Sequence, residues 1–157
     1  EIHWDDIADA PGNENIRLRS IAIRPLQGST IDIDSGIAIT TVFYNVTAGR
    51  SLDCTLHMFT LEGVCLFATG VVLSSTSDAK VGYYSAKVEI PSHLLNAGIY
   101  KITLLFGESQ RYMLYKAEDV ISFEVEHTAT ARGGNMSRAP GVIRPILDWS
   151  YEFSPHQ

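Results

Sequence analysis

An all-β fold, an antiparallel sandwich of the immunoglobulin-like or jelly-roll kind, is what this 157-residue sequence predicts. Three observations carry that expectation. Apolar and polar residues alternate in short runs, the period of two that puts one set of side chains on each face of a strand. Gly, Pro, Asn and Asp clusters separate the runs as turn signals. No long stretch repeats apolar residues at the helical spacing, so no helix competes for the core.

The residues around Leu61-Glu62-Gly63-Val64 form the central hairpin. Before the turn, Leu52, Cys54, Leu56 and Met58 alternate with Asp53, Thr55, His57 and Phe59. Gly63 supplies the positive φ of a tight turn. With Glu62-Gly63 as a two-residue loop, Thr60 faces Cys65, Met58 faces Phe67, Leu56 faces Thr69 and Cys54 faces Val71. One face of this ribbon is apolar and the other mixes polar and aromatic groups. A lone ribbon is marginal in water, so flanking strands must extend it into sheets that cover the apolar face.

The remaining elements follow in order. Residues 1–15 are a polar N-terminal arm, with Pro11-Gly12 as a turn and Trp4 as its anchor on the sandwich. Residues 16–24 form a strand whose parity slips at Ser20, which a bulge repairs. Asp32-Ile33-Asp34-Ser35-Gly36 looks like the start of a calcium loop but lacks the later ligands, and reads as a turn. A β-branched strand occupies 37–45, and a polar, mobile loop occupies 73–80. Residues 82–90 form a strand with Tyr84, Ala86, Val88 and Ile90 on one side and Tyr83, Ser85, Lys87 and Glu89 on the other. An irregular crossover at 91–97 leads to a strand with Tyr100, Ile102, Leu104 and Phe106 inward. Two short strands follow at 110–115 and 121–126, then a linker at 127–140. A last strand begins at Gly141 and runs to Trp149, with Trp149 in the core.

Composition excludes several functions. A net charge of −6 argues against nucleic acid or anionic lipid as a general partner. No apolar run is long enough to insert into a membrane as a helix. The two cysteines lie roughly 20 Å apart along the hairpin at about 3.3 Å per residue, too far for a disulfide. Free thiols fit a reducing cytoplasm. With no basic-then-apolar N-terminal segment, the sequons at Asn45 and Asn135 read as chance matches. The chain starts at Glu1 without an initiator Met, so a segment of a longer polypeptide is expected. No metal-ligand spacing, phosphate loop or nucleophile elbow occurs, so no catalytic residue, metal or cofactor is expected.

Several motifs follow one another in a set order: Trp4-Asp5-Asp6 with Ala10-Pro11-Gly12-Asn13-Glu14, the Ile16-Arg17-Leu18 strand, and the Leu61-Glu62-Gly63-Val64 hairpin. Then come Ile90-Pro91, Leu95 and Ala97-Gly98-Ile99-Tyr100, followed by Ile121-Ser122-Phe123-Glu124-Val125, Gly141-Val142-Ile143 and Trp149. In this order they resemble the C-terminal domain of Wzt-type proteins, the ATP-binding subunits of ABC transporters that export O-antigen polysaccharide. The likeness spans nearly the whole chain; residues 74–81 and 108–116 depart from it. The resemblance implies a single non-catalytic domain that recognises lipid-linked O-antigen at its modified non-reducing end. It implies a nucleotide-binding domain before Glu1, a transporter membrane subunit as partner, and a place at the inner face of the inner membrane. A homodimer is also implied, and in some members the C-terminal strand (141–157 here) is exchanged.

Sugars stack their C–H faces on aromatic rings and need donors and acceptors for their hydroxyls. The outward residues that offer both are Asp53, His57, Tyr83, Lys101, Arg111 and Tyr112. A few such contacts, set against the cost of association, give micromolar to millimolar affinity, on the order of −4 to −8 kcal/mol. Two other readings stand beside this one. A purely structural or dimerising appendage would bind no glycan. A glycan-binding module or enzyme outside the cell would need a signal peptide upstream or a carboxylate pair about 5–10 Å apart.

Overall fold

The computed structural model describes residues 1–127, 141–143, 149 and 155. Among them are eight strands and no helix: β1 (Ile2–His3), β2 (Ile16–Pro25), β3 (Ile37–Asn45), β4 (Leu52–Thr60), β5 (Cys65–Val72), β6 (Gly82–Ile90), β7 (Gly98–Glu108) and β8 (Tyr112–Val125). They form two antiparallel four-stranded sheets, ordered β1-β2-β3-β6 and β5-β4-β7-β8. The fold is the expected all-β sandwich.

Alternation builds the core between the sheets. Leu52, Cys54, Leu56 and Met58 of β4, and Tyr100, Ile102, Leu104 and Phe106 of β7, are all buried. They face Ile16, Leu18, Ile21 and Ile23 of β2 and Ile37, Ile39 and Phe43 of β3. Phe43 and Phe106 meet across the sandwich with ring centroids 4.6 Å apart, an edge-tilted contact of the kind aromatic quadrupoles favour. The register of β2 on β3 shifts between Leu18 and Ser20, so the bulge expected at Ser20 is present and keeps Leu18 and Ile21 on one buried face. In the calcium-like stretch, the Asp34 N–H donates to Asp32 Oδ1 at 2.9 Å and Gly36 has φ 63°, which is turn chemistry.

Several expectations need correction. The arm is partly a strand: β1 pairs with β2, and the Arg19 guanidinium donates to the carbonyls of Trp4 and Asp5 at 3.0 and 2.8 Å. Trp4 packs against the core. In the hairpin, Cys54–Val71, Leu56–Thr69 and Met58–Phe67 pair as expected, but Phe59, not Thr60, faces Cys65. An irregularity after Met58 absorbs one residue of β5, and Thr60 instead closes the turn through its N–H to Val64 O at 2.9 Å. The strands expected at 110–115 and 121–126 are one strand, β8. Its register on β7 jumps between Ile102–Ile121 and Leu104–Ala117. Residues 118–120 loop out there with Asp119 at φ 47°, and pairing then resumes. In the 73–80 loop, the Ser77 and Ala79 N–H groups donate to Ser51 Oγ and Arg50 O.

At the far end of the sandwich, Leu95 bridges to Ile143 and Val142 packs against the core. Most of the expected linker and last strand lies outside the described residues. Trp149 is 89% exposed and is not part of the core, contrary to its sequence reading.

Candidate functional site

On the outward face of the β5-β4-β7-β8 sheet, several of the cross-strand partners of β4 are small. His57 stands between Ala68 and Thr103, Thr55 between Gly70 and Leu105, and Asp53 between Val72 and Gly107. Two of these positions leave room for no side chain. A Cβ on Gly107 would come within 2.5 Å of Asp53 Oδ1, and one on Gly70 within 2.9 Å of the Cys54 carbonyl. Glycine inside a strand here marks close approach of a neighbour.

Two hollows share His57 as their common wall. One, about 370 Å³, is lined by Asp53, Thr55, Gln110, Arg111, Tyr112 and Met113 among others. The second, about 260 Å³, is lined by Phe59, Lys101, Thr103, Lys116, Glu118 and Asp119. Together they make a groove along the sheet. Its rim carries rings, with Tyr112 64% exposed and His57 tilted against Phe59 at 6.2 Å between centroids. The lysines at one end are charge-paired, Lys101 with Asp119 at 3.6 Å and Lys116 with Glu118 at 2.9 Å. Arg111 at the other end has no ion pair among the described residues.

Five of the six sequence candidates, Asp53, His57, Lys101, Arg111 and Tyr112, therefore line this groove. Tyr83 does not. It lies on β6, in the other sheet, where its ring meets Tyr44 edge-on at 5.1 Å. The sequence reading does not include Gln110, Met113, Thr103, Lys116, Asp119 and Gly107, which also line it. The strand-interior Gly107 is the available signal.

Other parts of the molecule offer less chemistry. A narrow slot of about 120 Å³ opens between β5 and β6, the end strands of the two described sheets, lined mainly by aliphatic groups such as Ile39, Leu56, Val88 and Leu104. Cys54 borders it, but burial, with the Asp53 charge beside it, pushes that thiol up to about 12, so it stays protonated at neutral pH. Among the described residues, no three His, Cys, Asp or Glu side chains group to hold a metal ion, and no helix is long and apolar enough to cross a membrane.

A solved structure, the C-terminal domain of Wzt, is similar to this chain with a TM-score of 0.66. The match covers 90% of this chain and 86% of that one, at 14% sequence identity. This chain has the fold of the Wzt C-terminal domain. No protein-family model and no curated protein matches the sequence. The likeness to Wzt is thus one of fold, and it agrees with the motif order of the sequence. In the Wzt-like frame, the groove occupies the outward face of the sheet that holds the central hairpin.

Proposed function

We propose that this Wzt-like domain is a non-catalytic carbohydrate-binding domain that selects lipid-linked O-antigen polysaccharide for an ABC exporter. The observation that carries the reading is the groove itself: a hollow whose lining includes the bare backbone of Gly107, flanked by rings and by polar groups. A saccharide needs that combination, because its C–H faces stack while its hydroxyls seek donors and acceptors. Tyr112 and His57 offer the stacking surfaces; Thr55, Gln110 and Arg111 offer the hydrogen bonds. Two hollows joined at His57 give room for more than one sugar residue of a chain. The modified non-reducing end of the polysaccharide is the part such a domain would select.

In this reading the domain follows a nucleotide-binding domain on the same polypeptide. It works in the cytoplasm at the inner face of the inner membrane, against the transporter's membrane subunit. It does so as a homodimer, whose paired sites raise apparent affinity by avidity. Each site alone binds at micromolar to millimolar Kd, on the order of −4 to −8 kcal/mol.

The test is titration of the domain with O-polysaccharide released by mild acid from the source strain's lipopolysaccharide, followed by calorimetry or backbone NMR. Saturable binding in that range supports the reading. Absence of any heat or shift at millimolar sugar rejects it and favours a structural appendage of the transporter.

A further inference from the structure

Asp53 belongs to the groove, yet direct contact with a ligand does not explain how it is built in. It sits on the polar parity of β4 but is only 8% exposed. Its Oδ2 accepts the backbone N–H of Gln110 at 2.8 Å, across 57 residues of sequence. Its Oδ1 lies over Gly107, where any side chain would collide with it. The group held by this bond is unusual. The turn joining β7 to β8 places two consecutive residues that carry Cβ, Ser109 and Gln110, in the left-handed region, each at φ 55°. Such turns normally use Asn-Gly or Gly-Gly, because a Cβ crowds the backbone there. A second tether comes from the Ser109 N–H, which donates to Ser51 O at 2.7 Å, just ahead of β4. Arg111 and Tyr112 follow the turn directly and line the groove.

We propose that Asp53 is a positioning residue: its carboxylate holds the strained Ser109-Gln110 turn in its left-handed form and thereby fixes Arg111 and Tyr112 over the groove. The functional consequence rests on the glycan reading above; the clamp itself is a property of the ligand-free protein. Asp53 and Gly107 act as a pair, since only glycine leaves the carboxylate its place beneath the turn.

Amide hydrogen exchange on the ligand-free chain tests the clamp. Asp53→Ala speeds exchange at Gln110 and Arg111 by about tenfold or more, while the β3 amides keep wild-type rates. Gly107→Ala, which displaces the carboxylate without deleting it, does the same. Adding S109G and Q110N to D53A supplies a turn that tolerates the left-handed region without the clamp and keeps a carboxamide at position 110, and slow exchange at Arg111 returns. Wild-type exchange at the turn in both D53A and G107A overturns the proposal. Where D53A alone fails to fold, recovery of the fold in the triple variant supports the clamp.

Titration with the released O-polysaccharide separates this from the glycan reading. D53A weakens binding by about tenfold and the triple variant recovers to within about threefold, the tenfold being about 1.4 kcal/mol. Exchange that behaves as stated, with no binding by the wild type, leaves the clamp standing and removes the glycan reading. Exchange restored in the triple variant without restored binding shows that Asp53 acts by touching the ligand, and overturns its positioning role.

Discussion

His57 is the residue that joins the two halves of the groove, flanked across the strands by Ala68 and Thr103 and meeting Phe59 on its own strand. Truncating it removes one stacking surface of about 0.5–1.5 kcal/mol, so His57→Ala raises the Kd for O-polysaccharide by about two- to tenfold with the fold intact. Calorimetry beside a circular-dichroism melt checks both halves of that statement. Cys54 gives a second outcome at this scale. Its folded pKa of about 12 lies above the ordinary 9.0. Between those values the unfolded chain releases a proton that the folded chain keeps, so stability falls as pH rises through that window and is unaffected below it. Chemical denaturation from pH 8 to 11 shows a steeper loss above pH 9 for the wild type than for Cys54→Ala. Gly70 gives a third. An alanine there meets the Cys54 backbone carbonyl at 2.9 Å, a contact no rotamer change relieves, and Gly70→Ala costs about 1–3 kcal/mol in a urea melt.

At the scale of elements, much was legible and the failures have identifiable causes. The inward sets of β4 and β7 were plain because each strand hides one face, and the slip at Ser20 announced its bulge. Parity, however, says which face a side chain takes and nothing about which sheet the strand joins. Tyr83 is outward on β6, as its parity requires, yet β6 pairs with β3 and not with β4, so it faces away from the groove. That pairing is decided by contacts remote in sequence. The expectation is therefore that Tyr83→Ala leaves the Kd for O-polysaccharide unchanged within about twofold, while His57→Ala does not. β8 was divided in two because Glu118 and Asp119 interrupt its pattern; the chain absorbs them as a loop-out, with the Asp119 N–H donating to Thr103 Oγ1 at 3.1 Å. The two-residue β1 carries too short a pattern to be read at all.

For the whole molecule, the sequence pattern and the sandwich agree because every layer of the fold states the same thing. Alternation makes strands, the strands bury one face, and the buried faces make one core. The groove was half legible. Its walls are the outward residues of one hairpin and its neighbours, but the bare stretch of its lining comes from Gly107 lying beside Asp53, a register fact that appears only once the strands are paired. The segment that departs from the Wzt pattern, 108–116, supplies Gln110, Arg111, Tyr112 and Met113 to the rim. On this account the sandwich is the scaffold and that turn sets which polysaccharide is accepted. The most direct measurement is a backbone NMR titration with O-polysaccharide from the source strain. The account predicts saturable shifts at residues 53–59, 101–107 and 110–113, with the outward face of β6 silent; no shifts at millimolar sugar, or shifts confined to the β1-β2-β3-β6 sheet, would contradict it.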